Sequence, residues 1–569
     1  MNLFRNNNKS IAIIILFTIL ITLLFIDKPF HIDDLYVISI AQQLSQKPLD
    51  PYGFEIDNLN SRVNALWYTD PPLVSYYMSF LLHFFGDSEK IIHFGFILFP
   101  LLAAISMFYF SRRFVNIPLF TTLLMIATPT FIVSSHSVMQ DLPLLSISLL
   151  AILFHVKGVD QNKSKFLVLA SIVAGLVFMT KYNGVILIFL MTLYSILQQK
   201  YNSLKYLTIT AVMILSFFLH NLYYYGIVHF LDSLVPWLVS GKGISAGVIP
   251  WLKTTAILFI SNLSYIGGAI VFSPFLIWPF VRHKSNLKAL TAYSMATFIL
   301  TLILSILSKN FVSGQYTVIQ LFLFFVFVTS GLLIIHIFLT DNFKIIKKLF
   351  RSLYNFKLRI LSFKERKIIF LIIWFLVVFI FNFTFAGGSV RYNTMLLPPF
   401  VILFIISLKR LKLPKNISTL FWIIFTSTLL LGLALGYADY QYAETYRQIS
   451  TITNKSEYGQ IFFLGHEGFK YYMEKQGAIF LTSYEGKIKK GDMIIRAPLA
   501  SPSVLSQSVL DNLVKVGTLE FNTNFPLRTL NSEAHAGWYK YGAGFLPYSL
   551  SNAPLEKFEI YTVREDFEK

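Results

Sequence analysis

The sequence predicts a polytopic α-helical membrane protein that ends in a soluble α/β domain. Of its 569 residues, 55% are hydrophobic and only 14% are charged, whereas soluble proteins carry about 25% charged residues. Long apolar runs recur along residues 1–437, which is typical of membrane helices. Residues 438–569 contain only short apolar runs, which are typical of strands.

About thirteen apolar segments are predicted to be membrane helices. Several are shorter than the roughly 20 residues that a full crossing needs. The segment 73–85 is short and aromatic, so we expect it to lie in the membrane interface. The predicted spans lie near residues 10–26, 91–110, 117–133, 141–156, 166–180, 184–197, 206–224, 254–280, 289–307, 316–339, 368–386, 395–408 and 417–437.

The distribution of Lys and Arg predicts the orientation of these helices. With the amino terminus inside, the inner connections hold 25 basic residues against three acids, as the positive-inside rule expects. The net charge of +19 therefore reflects membrane topology, which disfavours a nucleic-acid partner. The inner loop 340–367 is expected to contact the headgroups of anionic membrane lipids.

The expected location is the inner or plasma membrane, with a cytoplasmic amino terminus and an extracytoplasmic carboxyl-terminal domain. The first apolar run is followed by Asp27-Lys28-Pro29 and not by small residues. Because a signal-peptide cleavage site needs small residues, we expect this run to remain as an uncleaved helix.

Two regions lie outside the predicted spans. The first is the outer loop 27–90 of the membrane domain 1–437, where apolar spacing after Asp33 predicts an amphipathic helix. The second is the tail 438–569, predicted to form a separate α/β domain. Its pattern predicts strands at 460–465 and 478–481 around a helix at 467–475, and a third strand at 493–495.

The composition and motifs exclude several kinds of chemistry. The chain has no cysteine, so disulfides, thiol catalysis and cysteine-ligated metal sites are excluded. It also lacks the Walker A, GxGxxG and HExxH motifs. Nucleotide binding of those kinds and zinc-protease chemistry therefore have no support.

The adjacent acids Asp33 and Asp34 are the first candidate catalytic residues. They follow the first predicted helix closely, where charge is costly to hold near hydrocarbon. Neighbouring carboxylates raise each other's pKa, which suits a general base or a metal ligand. The alternative is a helix N-cap, which their position before a helix also favours.

Asp141 is the second candidate, in an outer connection between two predicted spans. It precedes Pro143, so a cap on the following helix is the alternative. His136, five residues earlier, is a candidate for binding substrate, although a loop histidine in ordinary hydrogen bonds is the simpler interpretation.

Two cations at the outer ends of predicted spans are candidates for binding an anionic lipid-linked substrate. Lys181 lies between two spans, and Arg391 precedes Tyr392 at the start of another. Phosphate at headgroup depth needs such cations. The alternative is that these side chains only extend to the membrane surface.

These motifs together resemble the GT-C-fold membrane glycosyltransferases, and most closely the dolichyl-phosphate-mannose–protein mannosyltransferase-like family, which includes bacterial aminoarabinose transferases. The resemblance covers residues 1–200 and the motif near 387–400. The tail segment Gly537-Trp538-Tyr539-Lys540 is also similar to tails of some members. The shared motifs are Asp33-Asp34, Pro71-Pro72-Leu73, Asp141, Thr180-Lys181 with Gly184, and Arg391-Tyr392 followed by Pro398-Pro399.

The resemblance implies roles for individual residues. It places Asp33 on the catalytic acidic position, and it implies that Asp34 and Asp141 assist it. Asp70 stands where relatives often carry Lys, so Lys181 and Arg391 are expected to bind the donor phosphate instead. Tyr392 is expected beside that phosphate. The expected substrate-binding residues are Tyr36, Asp70 and His136.

The implied reaction is an inverting sugar transfer on the outer face. The donor is a polyprenyl-phosphate sugar, and the acceptor is a hydroxyl of a protein, a lipid A-like lipid or a surface glycan. The resemblance leaves open whether a cofactor is required. If a metal ion takes part, Asp33 and Asp141 offer oxygen ligands, which suit Mg²⁺ or Mn²⁺.

Two other functions remain as alternatives. A transporter or flippase of lipid-linked sugars usually carries ionisable residues within its spans, whereas the predicted span interiors here hold no Asp, Glu, Lys or Arg apart from the terminal Asp141. A membrane sensor or scaffold would retain its function after substitution of Asp33.

Overall fold

A computed structural model of the chain describes residues 7–57, 62–67, 70–232, 248–281, 284–311, 315–354, 360–384, 388–410, 417–452 and 459–569. The predicted inner connections 281–288, 340–367 and 409–416 lie partly outside the described residues.

The part before the tail is mostly helical, since a helix satisfies the backbone hydrogen bonds of an apolar segment internally. The helices are α1 (Asn7–Leu23), α2 (Asp34–Gln46), α3 (Leu73–Phe85), α4 (Glu89–Phe96), α5 (Leu98–Ser111), α6 (Pro118–Ala127), α7 (Pro129–Ser135), α8 (Asp141–Gln161), α9 (Ser164–Thr180), α10 (Val185–Leu197), α11 (Leu207–Tyr225), α12 (Val248–Ala269), α13 (Pro274–Val281), α14 (Lys284–Phe311), α15 (Val318–Thr340), α16 (Phe343–Tyr354), α17 (Phe363–Thr384), α18 (Leu397–Arg410) and α19 (Ile417–Ile452).

The predicted multi-pass membrane architecture is confirmed. Among the described residues, eight helices are long and apolar enough to cross a membrane. A ninth crossing is formed if α6 and α7, which meet at 64°, are one bent span. The bend follows from Pro129, which cannot donate a backbone hydrogen bond. Four further apolar helices are shorter, so the number thirteen stays a prediction.

The outer loop contains the predicted amphipathic helix, which is α2. Helix α2 packs against α3, and the contact buries one apolar face of each helix, including Val37 and Met78. The opposite face of α3 leaves Phe84 64% exposed, and its position in the membrane interface stays a prediction. The loop also holds a short antiparallel hairpin, β1 (Glu55–Asp57) and β2 (Arg62–Asn64).

The tail contains the predicted βαβ unit, which is confirmed. Strand β3 (Ile461–Leu464) runs parallel to β4 (Ile479–Phe480) and to β6 (Met493–Arg496), and helix α20 (Glu467–Lys475) connects β3 to β4. The five-stranded sheet also contains β7 (Leu513–Phe521) and β12 (Glu556–Val563). Its order is β4-β3-β6-β12-β7, with β12 antiparallel to both neighbours. The tail elements are β3 (Ile461–Leu464), α20 (Glu467–Lys475), β4 (Ile479–Phe480), β5 (Lys487–Ile488), β6 (Met493–Arg496), α21 (Gln507–Leu510), β7 (Leu513–Phe521), β8 (Leu527–Arg528), β9 (Leu530–Asn531), β10 (Ala536–Gly537), β11 (Ser549–Leu550), β12 (Glu556–Val563) and β13 (Phe567–Glu568).

The core of the tail is continuous with the core of the membrane helices. Phe545 and Tyr548 contact Phe324 and Phe327 of α15, with ring centroids 6.1 and 5.0 Å apart. Trp538 is fully buried within the same hydrophobic cluster. Helix α19 also runs without interruption through the predicted boundary at 437/438.

Candidate active site

The neighbouring acids Asp33 and Asp34 have opposite environments at the start of α2. The Asp33 side chain is 41% exposed and forms an ion pair with Arg391. It makes no capping hydrogen bond to the helix. Asp34 is fully buried, and its two oxygens accept the backbone N–H groups of His31 and Val138, each at 3.0 Å. The Asp34 carboxylate thus links the segment at His31 to the segment at Val138. The Asp33 carboxylate faces open space instead.

The open space beside Asp33 is a cavity of about 260 Å³ at one end of the membrane helices. Six of the nine predicted site residues line it. The lining residues are Asp33, Tyr36, Val37, Ile40, Asp70, Met139, Gln140, Asp141, Lys181 and Arg391.

Carboxylates and cations alternate around this cavity. The Lys181 ammonium lies 2.9 Å from Asp141 and 3.7 Å from Asp70. The Arg391 guanidinium contacts Asp33, and its Nε lies 3.8 Å from Asp141. Tyr392 lies beneath both cations, with its ring centroid 4.8 Å from Lys181 Nζ. The cavity therefore holds two clustered positive charges, which are paired with three carboxylates.

Two of these groups have raised pKa values, for different reasons. Burial raises the pKa of Asp70, an effect that the nearby Lys181 charge only partly offsets. Burial alone would lower the pKa of Lys181, but Asp141 and Asp70 outweigh it and raise the pKa. Lys181 is therefore a fixed positive charge across the physiological pH range.

Local sequence explains how Lys181 reaches the cavity. Helix α9 ends at Thr180, and Lys181 has extended backbone angles (φ −160°, ψ 140°). Gly184 follows in a short 3₁₀ turn, where an added Cβ would lie 2.7 Å from the Val177 carbonyl oxygen. The Thr-Lys-x-x-Gly motif is thus a helix stop with a close backbone approach.

The tail supports the turn that carries Arg391. Arg391 belongs to a 3₁₀ segment, Val390–Leu396. The carbonyl oxygen of Trp538 accepts hydrogen bonds from the Val390 N–H and the Ser389 hydroxyl, both at 2.9 Å. The tail motif Gly537-Trp538-Tyr539-Lys540 therefore contacts the turn that carries Arg391.

A second charged cluster lies buried behind Asp34, and the sequence did not predict it. Asp439 of α19 pairs with Lys28 and accepts hydrogen bonds from Tyr539 at 2.8 Å and Thr529 at 3.2 Å. His31 lies 3.3 Å from Asp439. Burial and Lys28 would lower the pKa of His31, but Asp439 and Asp34 outweigh them and raise it. The only sequence signal was the tail motif that contains Tyr539.

Three predicted site residues do not line the cavity. Asp34 follows the lining residue Asp33 in the chain, and the Tyr392 ring lies beneath Lys181 and Arg391. His136 is buried, and its ring nitrogens lie 2.7 and 2.9 Å from the carbonyl oxygens of Ile132 and Ile21. His136 therefore has the environment of a structural histidine.

Sequence reasoning missed two polar or polarisable lining residues, Met139 and Gln140. The Met139 sulfur contacts the Arg391 guanidinium, and the Gln140 amide donates to the Pro71 carbonyl at 3.3 Å. Both directly precede Asp141 in the chain. Their position in that motif was the signal that could have identified them.

The candidate metal ligands are Asp33 and Asp141. Within the described ranges, no group of three or more His, Asp or Glu side chains is close enough to hold a metal ion. One oxygen of Asp141 pairs with Lys181, and one oxygen of Asp33 pairs with Arg391. The expectation of Mg²⁺ or Mn²⁺ at these two acids stays a prediction.

Comparisons with known proteins agree with the motifs. Residues 69–224 match the model of a family described as dolichyl-phosphate-mannose-protein mannosyltransferase. This segment includes Asp70, Asp141 and Lys181, and the match confirms the resemblance to membrane glycosyltransferases over these residues. No curated protein matches the chain.

Two solved structures are similar to most of the chain at low identity. One is ArnT from Cupriavidus metallidurans in the apo state, with 14% identity, a TM-score of 0.35, and coverage of 86% of this chain and 93% of that chain. The other is the same protein bound to undecaprenyl phosphate, with 14% identity, a TM-score of 0.38, and coverage of 90% and 97%. Both TM-scores lie below 0.5, so no residue here takes its role from these structures.

Proposed function

We propose that this protein is an inverting glycosyltransferase that moves a sugar from a polyprenyl-phosphate donor to an acceptor hydroxyl on the outer face of the membrane. The observation that carries the proposal is the convergence of Asp33, Lys181 and Arg391 on one cavity at the end of the membrane helices. The description of the matching family, which names a dolichyl-phosphate donor, supports the class of substrate.

Asp33 acts as the general base in this proposal. Within the described part of the chain, its Oδ1 has no hydrogen-bond donor, while Oδ2 pairs with Arg391. The free oxygen accepts the proton of the acceptor hydroxyl as that oxygen bonds to the anomeric carbon. The bond from this carbon to the phosphate oxygen breaks at the same step, which inverts the anomeric configuration. A positioned base of this kind contributes about 10²–10⁴ in rate.

Lys181 and Arg391 stabilise the leaving lipid phosphate. Negative charge builds on the phosphate as the sugar departs, and charge-assisted hydrogen bonds to it strengthen in a site with little water. Asp141 holds Lys181 in place at 2.9 Å. Tyr36 and Asp70 line the same cavity and are proposed to contact the sugar or the acceptor.

The tail is proposed to cover the cavity and to help select the acceptor. Its lysine Lys540 is anchored to Glu467 at 2.9 Å and to Ser501 at 2.6 Å, which fixes the motif that contacts Ser389 and Val390. The tail therefore also supports the site itself, so its removal is expected to lower donor binding as well as acceptor selection.

The test uses the purified full chain in nanodiscs with a synthetic polyprenyl-phosphate sugar panel. Acceptors come from envelope extracts of cells that lack the protein, and mass spectrometry of surface glycans and glycoproteins identifies the product. We expect transfer by the wild-type chain and a loss of about 10² or more in turnover for Asp33→Asn.

Asp87→Asn is the matched control, because Asp87 lies in the same outer loop, 73% exposed, and pairs with Lys475 away from the cavity. Its turnover should equal that of the wild type. Near-wild-type turnover of Asp33→Asn would remove Asp33 as the base. Movement of the lipid-linked sugar across the membrane without transfer would favour a transporter instead.

A further inference from the structure

A second polar cavity lies at the opposite end of the membrane helices from the candidate active site. Helix α8 begins at Asp141 in the active site and reaches Asp160 after 19 residues, which corresponds to about 28 Å along the helix. Asp160 pairs there with Arg113, and Arg113 lines the second cavity. The two cavities are therefore about one hydrocarbon thickness apart.

The second cavity has a volume of about 460 Å³, which is within the range of about 300–1,000 Å³ for small-molecule sites. It is formed by the turn after α5, the first turns of α17 and the last turn of α18. Five of its eleven lining residues are cations, and none is an acid. The cations are Arg113, Lys364, Lys367, Lys409 and Arg410.

Nearby acids neutralise only part of this group. Arg113 has Asp160 as a partner, and Arg410 donates to the Asp341 carbonyl and the Asn342 side chain at 2.8 and 3.0 Å. Glu365 instead pairs with Lys348. In the ranges that the structure describes, Lys364, Lys367 and Lys409 form no salt bridge. Like charges held together in this way favour an anionic ligand.

The remaining lining residues are mostly apolar. Phe114, Val115 and Ile368 lie beside the cations, together with Phe363 and Ile406. A ligand that fills the cavity therefore contacts cationic and apolar surface at the same depth, beside the first turns of α17 and the last turn of α18. A free ion would leave the apolar part unused, whereas the phosphate and upper chain of a lipid match both parts.

We propose that this cavity is a binding site for the phosphate headgroup of an anionic phospholipid, with Lys364, Lys367 and Lys409 as its main ligands. The bound lipid neutralises the positive charge of the basic residues that lie after α5, in the first turns of α17 and in the last turn of α18. This site is separate from the glycosyl-transfer site and does not depend on the proposed function.

The experiment measures lipid retention on the purified full chain by native mass spectrometry. The probes are phosphatidylglycerol, phosphatidylcholine and inorganic phosphate, each added at equal concentration. The cavity variant is Lys367→Gln with Lys409→Gln. The control variant, Lys163→Gln with Lys165→Gln, removes the same charge where α8 connects to α9, outside the cavity lining.

We expect the wild type and the control to retain one phosphatidylglycerol molecule, and the cavity variant to bind it at least tenfold more weakly. Phosphatidylcholine should be retained by none of them, and thermal unfolding in phosphatidylcholine should confirm that all three are folded. Equal retention by the cavity variant and the control would overturn the proposal. Displacement of the lipid by millimolar inorganic phosphate would assign the site to a free anion instead.

Discussion

Two charged clusters lie side by side in this protein, and they differ in exposure. The cavity cluster comprises Asp33, Asp70, Asp141, Lys181 and Arg391, and it faces a space large enough for part of a substrate. The buried cluster comprises Lys28, His31, Asp34 and Asp439, and its side chains are almost completely enclosed. Both pair acids with bases, so the pairing itself does not distinguish a reactive site from a structural one.

The adjacent residues Asp33 and Asp34 belong to different clusters, which makes the difference instructive. Asp33 is the residue before α2 and Asp34 is its first residue, and their side chains leave the backbone in different directions. One carboxylate therefore faces the cavity and the other faces the interior. The buried carboxylate uses both oxygens on backbone N–H groups. Asp33 is the candidate for chemistry because, in the described part of the chain, its carboxylate has a free oxygen beside open space, and not because of its charge alone.

The largest effect on transfer activity, after loss of Asp33, is expected from loss of a cavity cation. Arg391→Gln removes a charge-assisted contact worth about 1.5–3 kcal/mol, which corresponds to roughly 10–100-fold in kcat/KM for the donor. Arg391→Lys should restore little, because an ammonium lacks the planar fork of the guanidinium.

Steady-state kinetics with a synthetic donor would test the role of Arg391. Arg62→Gln is the control, since Arg62 is an exposed cation of the same outer loop that pairs with Asp57. If Arg391→Gln and Arg62→Gln had equal kinetics, the cavity cluster would not bind the phosphate.

The buried cluster is expected to affect stability more than the chemical step. Asp439→Asn leaves Lys28 buried without its carboxylate, and breaking a buried pair costs about 3–5 kcal/mol. Thermal unfolding in detergent should show the loss, while transfer per folded molecule falls by less than tenfold. Glu444→Gln, which breaks a partly exposed pair with Arg447 on the same helix, should cost at most about 1 kcal/mol. A variant of Asp439 that stays fully stable but inactive would place Asp439 in the active site.

A smaller effect, on the pH dependence of stability, is expected from Glu556 in the tail. Burial raises the pKa of Glu556 from 4.5 to about 7. The folded state therefore binds more protons than the unfolded chain in this range, and the stabilisation from this group is complete below about pH 4.5. It is lost as the pH rises through about 7.

Melting curves between about pH 5 and pH 8 should show this loss for the wild type. They should show a flatter profile for Glu556→Gln, which cannot titrate. Parallel profiles for the two proteins would mean that Glu556 is charged in the folded state throughout.

The sequence predicted the fold correctly where the pattern of apolar residues within one short segment determines the structure. The βαβ unit of the tail follows from short apolar runs around the helix Glu467–Lys475, and α2 follows from apolar spacing after Asp33. The insertion of residues 535–548 among the membrane helices was not predictable, because its strand β10 is only two residues long and carries no periodic signal.

The candidate site was predictable in part. Asp33, Asp141, Lys181 and Arg391 were found because each is a rare charge beside a membrane span. Asp33 and Arg391 are 358 residues apart, so only the family resemblance, and no spacing rule, brought them together. The contact of Lys28 with Asp439 spans 411 residues and left no sequence signal. Asp34 accepts a hydrogen bond from the Val138 N–H, which is 104 residues away in the chain. Its burial could therefore not be predicted from neighbouring residues.

The most direct test of this account compares Asp33→Asn with Asp34→Asn in one preparation, by rapid-quench single-turnover transfer and by unfolding. We predict that Asp33→Asn loses about 10² or more in rate at unchanged stability. Asp34→Asn should lose about 1–3 kcal/mol of stability, because its amide cannot accept both backbone hydrogen bonds, with less than a tenfold loss in rate per folded molecule. The reverse result, a stable but inactive Asp34→Asn beside an active Asp33→Asn, would contradict the account.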